Sequence, residues 1–371
     1  MISTNLSVRE LTADDRDALN HFVGNNDYGD LMQAWEWGQI KSSGGDWKPL
    51  RLGAFAPDGS LAAGISILVR NVPVIGNFYY APRGPILSDW SSPAQLTVLL
   101  DAVRERARAD SAAFLKIDPA LPVDQSQAFS FVKSAGFQPP ADFDQQGFGG
   151  TQPKTVMVLD IGASTMDELI MACKPQCRRN IRICEKKGVE VVVNAKRQDL
   201  PAFYDLLKIT AQRDGFRVRS LSYYETLWDE LVPVGLGKVF LTRYEGQYLS
   251  GAFCFKIGDK CVYVYGASSN EYRNVMPNYG MQWAMIGWAK EQGCTVYDFR
   301  GVSPKKKGDT ESAGDGDKED HLQGLNRFKE GFGARYVEYV GEYDLIYNKA
   351  AYWLWTKGKP KAQALLKKLK K

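Results

Sequence analysis

The sequence predicts an α/β protein built from two tandem domains of one design, each a mixed sheet flanked by helices. Three repeated features predict it. The first is an apolar helix that stops on a Gly-Phe step. It occurs at Phe131-Val132-Lys133-Ser134-Ala135-Gly136-Phe137 and again at Gly324-Leu325-Asn326-Arg327-Phe328-Lys329-Glu330-Gly331-Phe332-Gly333. The second is a turn glycine followed five residues on by another glycine that opens an apolar β run. Gly59 and Gly64 precede Ile65-Ser66-Ile67-Leu68-Val69, and Gly246 and Gly251 precede Ala252-Phe253-Cys254-Phe255-Lys256. The third is a short strand carrying one aspartate, Phe114-Leu115-Lys116-Ile117-Asp118 and Val296-Tyr297-Asp298-Phe299. Self-similarity on the scale of half the chain means a duplicated domain, because solenoid periods are far shorter.

The elements come in one order in both halves. A strand (residues 50–55 and 238–244) leads into the glycine turn and the apolar strand. An aromatic strand comes next (78–81 and 262–267), then a long helix (93–108 and 278–292). The aspartate strand, a helix and the Gly-Phe step close each unit. This places a first domain at 1–152 and a second at 153–340. A basic tail, 341–371, is expected to pack back on the first domain.

A chain of 371 residues is long enough for two such cores. With 44% hydrophobic and 24% charged residues it is neither disordered nor collagen-like. A net charge of +4 does not by itself indicate nucleic-acid binding, which needs a patch. The 18 Tyr and 9 Trp suit a ligand cleft or a plain core equally. No apolar run approaches the roughly 20 residues of a membrane span, and the first residues are polar and acidic, unlike a secretory leader. Cys254 and Cys261 read as small core residues. Cys173 and Cys177, four apart, read as one face of a helix. Zinc would need further ligands, and His21 and His321 are the only histidines. No metal or cofactor is expected. Reduced thiols without a leader indicate the cytoplasm.

Three segments stand apart. Residues 304–320 are charged and Gly-rich, which reads as a mobile loop, either a lid or a passive surface. The tail from Leu345 carries Lys349, Lys357, Lys359, Lys361, Lys367, Lys368, Lys370 and Lys371 beside Tyr352-Trp353-Leu354-Trp355, with no acid. That pattern fits peripheral contact with anionic lipid or a solvated terminal helix. Residues 174–187 hold Lys174, Arg178, Arg179, Arg182, Lys186 and Lys187 against one acid. Arg178 and Arg182 share a face if the segment is helical, as a phosphate contact or a plain basic surface.

Several chemistries lack their motifs. There is no P-loop, no Gly-x-Gly-x-x-Gly after a strand, no Gly-x-Ser-x-Gly elbow and no recognisable histidine triad. The order of elements resembles the GCN5-related N-acetyltransferase fold. In that family a Gln/Arg-x-x-Gly-x-Gly/Ala loop holds the CoA pyrophosphate. The Gly-x-Gly triplets opened by Gly147, Gly235, Gly314 and Gly331 all lack Gln or Arg three residues earlier.

Twin acetyltransferase-like domains without a CoA loop resemble the Fem family of peptidoglycan aminoacyltransferases. The matching runs are Gln33-Ala34-Trp35-Glu36-Trp37-Gly38-Gln39-Ile40-Lys41, Tyr80-Ala81-Pro82-Arg83-Gly84-Pro85, Leu115-Lys116-Ile117-Asp118-Pro119, Arg178-Arg179-Asn180-Ile181-Arg182, Tyr297-Asp298-Phe299-Arg300-Gly301 and the segment from Gly324 to Gly333. The resemblance implies transfer of an amino acid from aminoacyl-tRNA to the stem peptide of a UDP-linked or lipid-linked cell-wall precursor, which builds the interpeptide bridge. It implies that Lys41, Arg219, Tyr223 and Tyr265 bind the precursor's diphosphate-sugar part. It places Asp118 near the acceptor, and Phe328 and Lys329 at the transferred acyl group. Arg178 and Arg182 become candidates for tRNA phosphates. The partners expected are therefore aminoacyl-tRNA and the precursor, with a monomeric enzyme in the cytoplasm or on the inner face of the membrane. Larger members carry a long helical arm in the second domain, and the short stretch between Trp228 and Lys238 leaves no room for one. A CoA-dependent N-acetyltransferase and a non-catalytic tRNA- or precursor-binding protein are the alternatives.

The implied reaction is aminolysis of an activated ester, which needs no enzyme nucleophile. The acceptor amine, with an ordinary pKa near 10.4, must lose a proton to a base or to the ester's own ribose hydroxyl. A fixed cation such as Lys329 would stabilise the developing oxyanion, and two large substrates must be aligned.

Overall fold

Residues 5–140, 150–304 and 317–358 are described by the computed structural model, with 317–322 and 358 described as backbone only. Contacts divide the chain into two units. One runs up to Lys154 and resumes at Glu338, and the other is Thr155–Val337. The second crossing lies slightly ahead of the boundary read from the sequence at 340.

The first unit begins with β1 (Ser7–Glu10), α1 (Arg16–Gly24), α2 (Trp35–Ser42), β2 (Lys48–Phe55), β3 (Leu61–Val72), β4 (Gly76–Ala81), β5 (Ile86–Leu87), α3 (Ala94–Ala109), β6 (Ala112–Ile117) and α4 (Ser126–Ser134). The second holds β7 (Thr155–Asp160), α5 (Met166–Ala172), α6 (Pro175–Lys186), β8 (Glu190–Val192), α7 (Leu200–Asp214), α8 (Leu221–Leu231), β9 (Gly237–Tyr244), β10 (Gln247–Ile257), β11 (Lys260–Ser268), α9 (Pro277–Glu291), β12 (Val296–Gly301), α10 (Asp317–Gly331) and β13 (Arg335–Glu338). β14 (Tyr343–Ile346) and α11 (Lys349–Trp353) return to the first unit.

The first sheet has the order β1-β2-β3-β4-β6-β14, with β5 against β3, and the second β13-β7-β12-β11-β10-β9-β8. Each is mixed in the same place. β4 runs parallel to β6, and β11 parallel to β12, each pair joined by one long helix. A crossover helix is what a parallel pair requires. Beyond the parallel pair an antiparallel strand follows in each sheet, β14 on β6 at the edge of the first and β7 on β12 in the second, where β13 lies outside β7. α8 passes almost directly into β9, so no helical arm interrupts the second unit there.

Helical spacing explains how α3 is held. Leu96, Leu99, Leu100, Val103 and Ala107 fall on one face, and all are buried in the cluster that includes Leu52, Ile65 and Ile67 of the sheet. Burying one such side chain is worth about 1.5–3 kcal/mol. The second core gathers Met281, Met285, Ile286 and Ala289 of α9 with Ala252, Cys254 and Cys261 of the sheet.

Four details differ from the sequence reading. The Gly-Phe steps are not equivalent. Gly136 takes the left-handed turn that ends α4, with φ 96°, whereas Gly331 is still helical and Gly333, with φ 87°, turns the chain. A Cβ on Gly331 would lie 3.3 Å from the Cβ of Cys177, so that glycine serves close packing rather than the turn. Next, Cys173 and Cys177 do not share a helix. α5 ends before Cys173 and α6 starts at Pro175, because proline cannot continue a helix whose N–H it lacks.

The aspartates, finally, belong to matching strands, Asp118 just past β6 and Asp298 within β12, but not to matching rungs. Gly53 pairs with Gly64 and Leu241 with Gly251. Four residues past each second glycine, Leu68 pairs with Tyr80 and Phe255 with Val262. Tyr80 then meets Lys116, whereas Val262 meets Asp298. On this count, which crosses a register shift between Phe253 and Cys254, Asp298 stands at the rung of Lys116 and not of Asp118. The helix α10 also starts at Asp317, inside the stretch read as a loop, and residues 305–316 of that candidate lid lie outside the described residues.

Candidate active site

Lys329 lies in the last turn of α10, where a lysine is ordinarily solvated and favoured by the helix dipole. Here it is 3% exposed. Its Nζ donates to the carbonyl oxygen of Gly301 at 2.6 Å and lies 3.4 Å from that of Arg300. Three residues earlier, on the same face, the Asn326 amide is paired with the backbone of Ser303 at 3.2 and 3.3 Å. The run from Gly324 to Gly333 therefore clamps α10 onto the end of β12. Burial pushes the Lys329 ammonium down to about 8, with Asp298 opposing that shift and Arg300 adding to it. Phe328, the preceding residue, belongs to an aromatic group, 4.9 Å from Tyr279 and 5.4 Å from Phe332 between ring centroids.

β12 presents those two carbonyls because it bulges. It pairs with β7 at Asp298–Val158 and again at Gly301–Val156, which leaves one extra residue on β12. Such a bulge bends the strand and re-aims the backbone beyond it. Arg300 takes up the bend with φ 65°, a left-handed conformation rare for a side chain of its size. The Asp298 carboxylate accepts its N–H at 2.6 Å. Asp298 and Arg300 received no role from the sequence, although the Asp-x-Arg-Gly spacing is that of an Asx turn, in which a carboxylate accepts from the backbone two residues on.

Arg219, Tyr223 and Tyr265 come together. The Arg219 guanidinium lies 4.9 Å from the centroid of the Tyr223 ring, and the Tyr223 and Tyr265 hydroxyls are 3.0 Å apart. Tyr223 is in the first turn of α8 and Tyr265 on β11. Burial pushes both phenols up, so they act as hydrogen-bond donors across the neutral pH range, and Arg219 partly offsets the shift in each. Arg300 also acts on Tyr265, so its charge influences both this cluster and Lys329.

In the first unit, Lys41 lies in the last turn of α2 with its Nζ 4.4 Å from the centroid of the Trp37 ring, one helical turn back. Trp35 is covered by Arg51 at 3.7 Å. These cation–π contacts account for the Trp-x-Trp-x-x-x-Lys spacing. Asp118 is 1% exposed. It accepts from the Tyr80 hydroxyl at 2.7 Å and from the Arg83 N–H at 2.6 Å. Desolvation pushes its carboxyl up to about 6, and Arg83 cancels only part of that. Arg83 is itself 2% exposed, left-handed at φ 59°, and donates to the Pro153 carbonyl at 2.8 Å. The Gln33 amide donates to Pro82 and to the Ser66 carbonyl, and accepts from Ser66 N–H. A Cβ on Gly84 would meet that amide at 2.5 Å, which accounts for the glycine. Asp118 thus organises the loop of residues 80–85, whose Tyr80 and Arg83 had no assigned role.

The basic segment is helical, as α6. Arg178 and Arg182 share a face but not a situation. Arg178 donates to the Met171 and Cys173 carbonyls at 2.7 and 2.6 Å and closes the end of α5. Arg182, Lys186 and Lys187 are exposed. In the tail, Trp355 packs 5.1 Å from Phe78 and Tyr352 packs 5.2 Å from Phe114, while Trp353 is 56% exposed. Lys359 to Lys371 lie outside the described residues.

The model of the FemAB family matches residues 15–231 and 238–358. The lipid II:glycine glycyltransferase of Staphylococcus aureus (strain MRSA252) is 30% identical over 408 aligned positions, covering 92% of this chain and 93% of the relative. A crystal structure of FemX superposes with a TM-score of 0.81 at 28% identity, covering 94% of this chain and 99% of that one. A tandem GNAT protein from the clavulanic acid biosynthesis pathway shares the fold, with a TM-score of 0.52 at 11% identity over 92% of this chain and 98% of its own.

Proposed function

This chain belongs to the FemAB family, and from that premise we propose that it transfers an amino acid from aminoacyl-tRNA to the stem-peptide amine of a lipid-linked peptidoglycan precursor, forming an interpeptide bridge. The observation that carries the reading is Lys329, a desolvated cation fixed by two backbone carbonyls. Aminolysis of an ester develops negative charge on the acyl oxygen, and a preorganised cation in a water-poor site stabilises that charge better than water does. The acceptor amine attacks the ester carbon, and the ribose oxygen leaves with a proton. No enzyme nucleophile and no cofactor enters the step. The relative's name specifies lipid II and glycine, and the lipid-linked acceptor is taken from that likeness.

Lys41 in the first unit and, by itself, the Arg219–Tyr223–Tyr265 cluster in the second are assigned to the precursor's diphosphate-sugar part through the family resemblance, as cations and phenolic donors suit phosphate oxygens. Their charge meets charge already present in the ground state. Lys41→Ala and Arg219→Ala are therefore expected to raise KM for the precursor about tenfold, with kcat changed less than about threefold. Steady-state transfer at varied precursor concentration checks this. The exposed face of α6, through Arg182, takes tRNA phosphates, whereas Arg178 is committed to the fold.

A lipid-linked substrate makes peripheral membrane contact useful, and among the described residues no helix is long and apolar enough to cross a membrane. Trp353 and the tail lysines fit an anionic surface, each lysine contributing up to about 1 kcal/mol within a Debye length of about 10 Å. The full chain is expected to co-sediment with anionic vesicles at low salt and to be released at high salt. Removal of Lys367 to Lys371 should weaken binding. Equal binding by the truncated chain would show that the terminal lysines play no part. The function itself is tested by mass spectrometry of muropeptides from cells lacking the protein. Bridges shortened by one or more residues support the proposal, and unchanged bridges oppose it.

A further inference from the structure

Lys329 is fixed by its acceptors, and those acceptors exist because β12 is bent at Arg300. In a regular strand successive carbonyls point to opposite sides. Here the oxygens of residues 300 and 301 both reach one ammonium. The bend contains one extra residue relative to β7 and a left-handed Arg300. Glycine adopts that conformation freely, whereas an arginine adopts it at a cost and needs its surroundings to hold it. The hold is visible: the Asp298 carboxylate, two residues back, accepts the Arg300 N–H at 2.6 Å. The ladder closes again just past the bend, where Val302 N–H donates to the Thr155 carbonyl at 3.0 Å and Thr155 Oγ1 donates to the Val302 carbonyl at 2.6 Å. The distortion is therefore confined to the residues that face Lys329.

We propose that Asp298 is a positioning residue for transfer, which locks Arg300 in its left-handed turn so that the carbonyls of Arg300 and Gly301 aim the Lys329 ammonium at the acyl oxygen. Asp298 itself touches no substrate. It acts through the backbone at 300 and 301, and its effect belongs to the transition state because Lys329 meets charge that develops only there. The proposal rests on the reading of Lys329 as the oxyanion donor and adds the device that sets it.

The device has a specific genetic signature. If Asp298 matters because Arg300 needs help to stay left-handed, a glycine at 300 removes the need. A double-mutant cycle of Asp298→Ala and Arg300→Gly reads this coupling whatever Arg300→Gly costs alone. The assay is single-turnover and steady-state transfer near pH 6.5, where Lys329 stays charged, with folding of each variant checked by circular dichroism. Asp298→Ala alone is expected to lower kcat roughly tenfold or more, with KM for both substrates within about twofold. In the Arg300→Gly background the same change should alter kcat less than about twofold. Asp298→Asn keeps an acceptor oxygen for the Arg300 N–H and should stay within about threefold of the native protein. Equal losses from Asp298→Ala in both backgrounds would overturn the proposal. So would a loss confined to KM, or an Asp298→Asn as slow as Asp298→Ala. Lys329→Met separates the two levels. If it transfers at the native rate, the oxyanion reading falls, whereas a slow Lys329→Met with no coupling between 298 and 300 removes only the positioning role.

Discussion

Lys329→Met is expected to slow transfer by roughly 10²–10³, as for the loss of one oxyanion donor, about 2.7–4 kcal/mol of transition-state stabilisation. KM for the precursor should change little, since the charge that Lys329 meets is absent from the ground state. Methionine fills similar space but leaves the Gly301 and Arg300 carbonyls without their donor, so melting should fall as well, by about 1–3 kcal/mol of stability. The two effects separate when kcat is measured well below the melting temperature. The same lysine sets a pH limb. Its pKa is lowered to about 8 by burial, so the charged form is lost as pH rises through that value and transfer should fall with it. Lys329→Arg keeps the charge at every accessible pH. Whatever activity it retains should lack that alkaline limb. A limb near pH 8 that persists in Lys329→Arg would assign the titration to another group.

Asp118→Ala is expected to act on stability before chemistry. Arg83 is buried, with Asp30 at 3.9 Å and the Tyr339 ring at 4.8 Å as its other neighbours for charge. Removing the Asp118 carboxylate leaves that cation under-compensated and takes the acceptor from both the Tyr80 hydroxyl and the left-handed Arg83 N–H. Leaving two buried donors without their acceptor costs about 1–3 kcal/mol each. For a unit of this size that is a fall in melting temperature on the order of 10 °C. Asp118→Asn retains an acceptor and should cost less. Thermal denaturation followed by circular dichroism checks both. If Asp118→Ala melts like the native protein and loses only transfer, Asp118 serves the acceptor directly, as the family resemblance implies.

Much of the architecture was legible because it rests on local chemistry. The glycine pairs mark hairpin turns, the aromatic and apolar runs mark strands, and the spacing from Leu96 to Ala107 marks a buried helix face. The Arg219–Tyr223 pair came from the family resemblance, and the structure places its guanidinium 4.9 Å from the ring centroid. The features that escaped the sequence depend on contacts distant in the chain. A lysine at a helix C-terminus reads as solvated, and only the approach of β12 reveals Lys329 as buried. Arg178 reads as a phosphate contact or part of a plain basic surface, and its bonds to the end of α5 appear only in the fold. Asp298 and Asp118 look equivalent on their strands, and only the ladder register shows them two rungs apart. Just past Asp298, the bulge of β12 brings two carbonyls to Lys329.

The central claim is that this protein joins an aminoacyl group from tRNA to the amine of a peptidoglycan precursor. The most direct measurement combines the purified full chain, charged tRNA and lipid-linked precursor, with mass spectrometry of the precursor and acetyl-CoA supplied in a parallel reaction. The account predicts a precursor heavier by one amino-acid residue with charged tRNA, and no change with acetyl-CoA. An acetylated precursor, or an unmodified one in the presence of every charged tRNA, would contradict it.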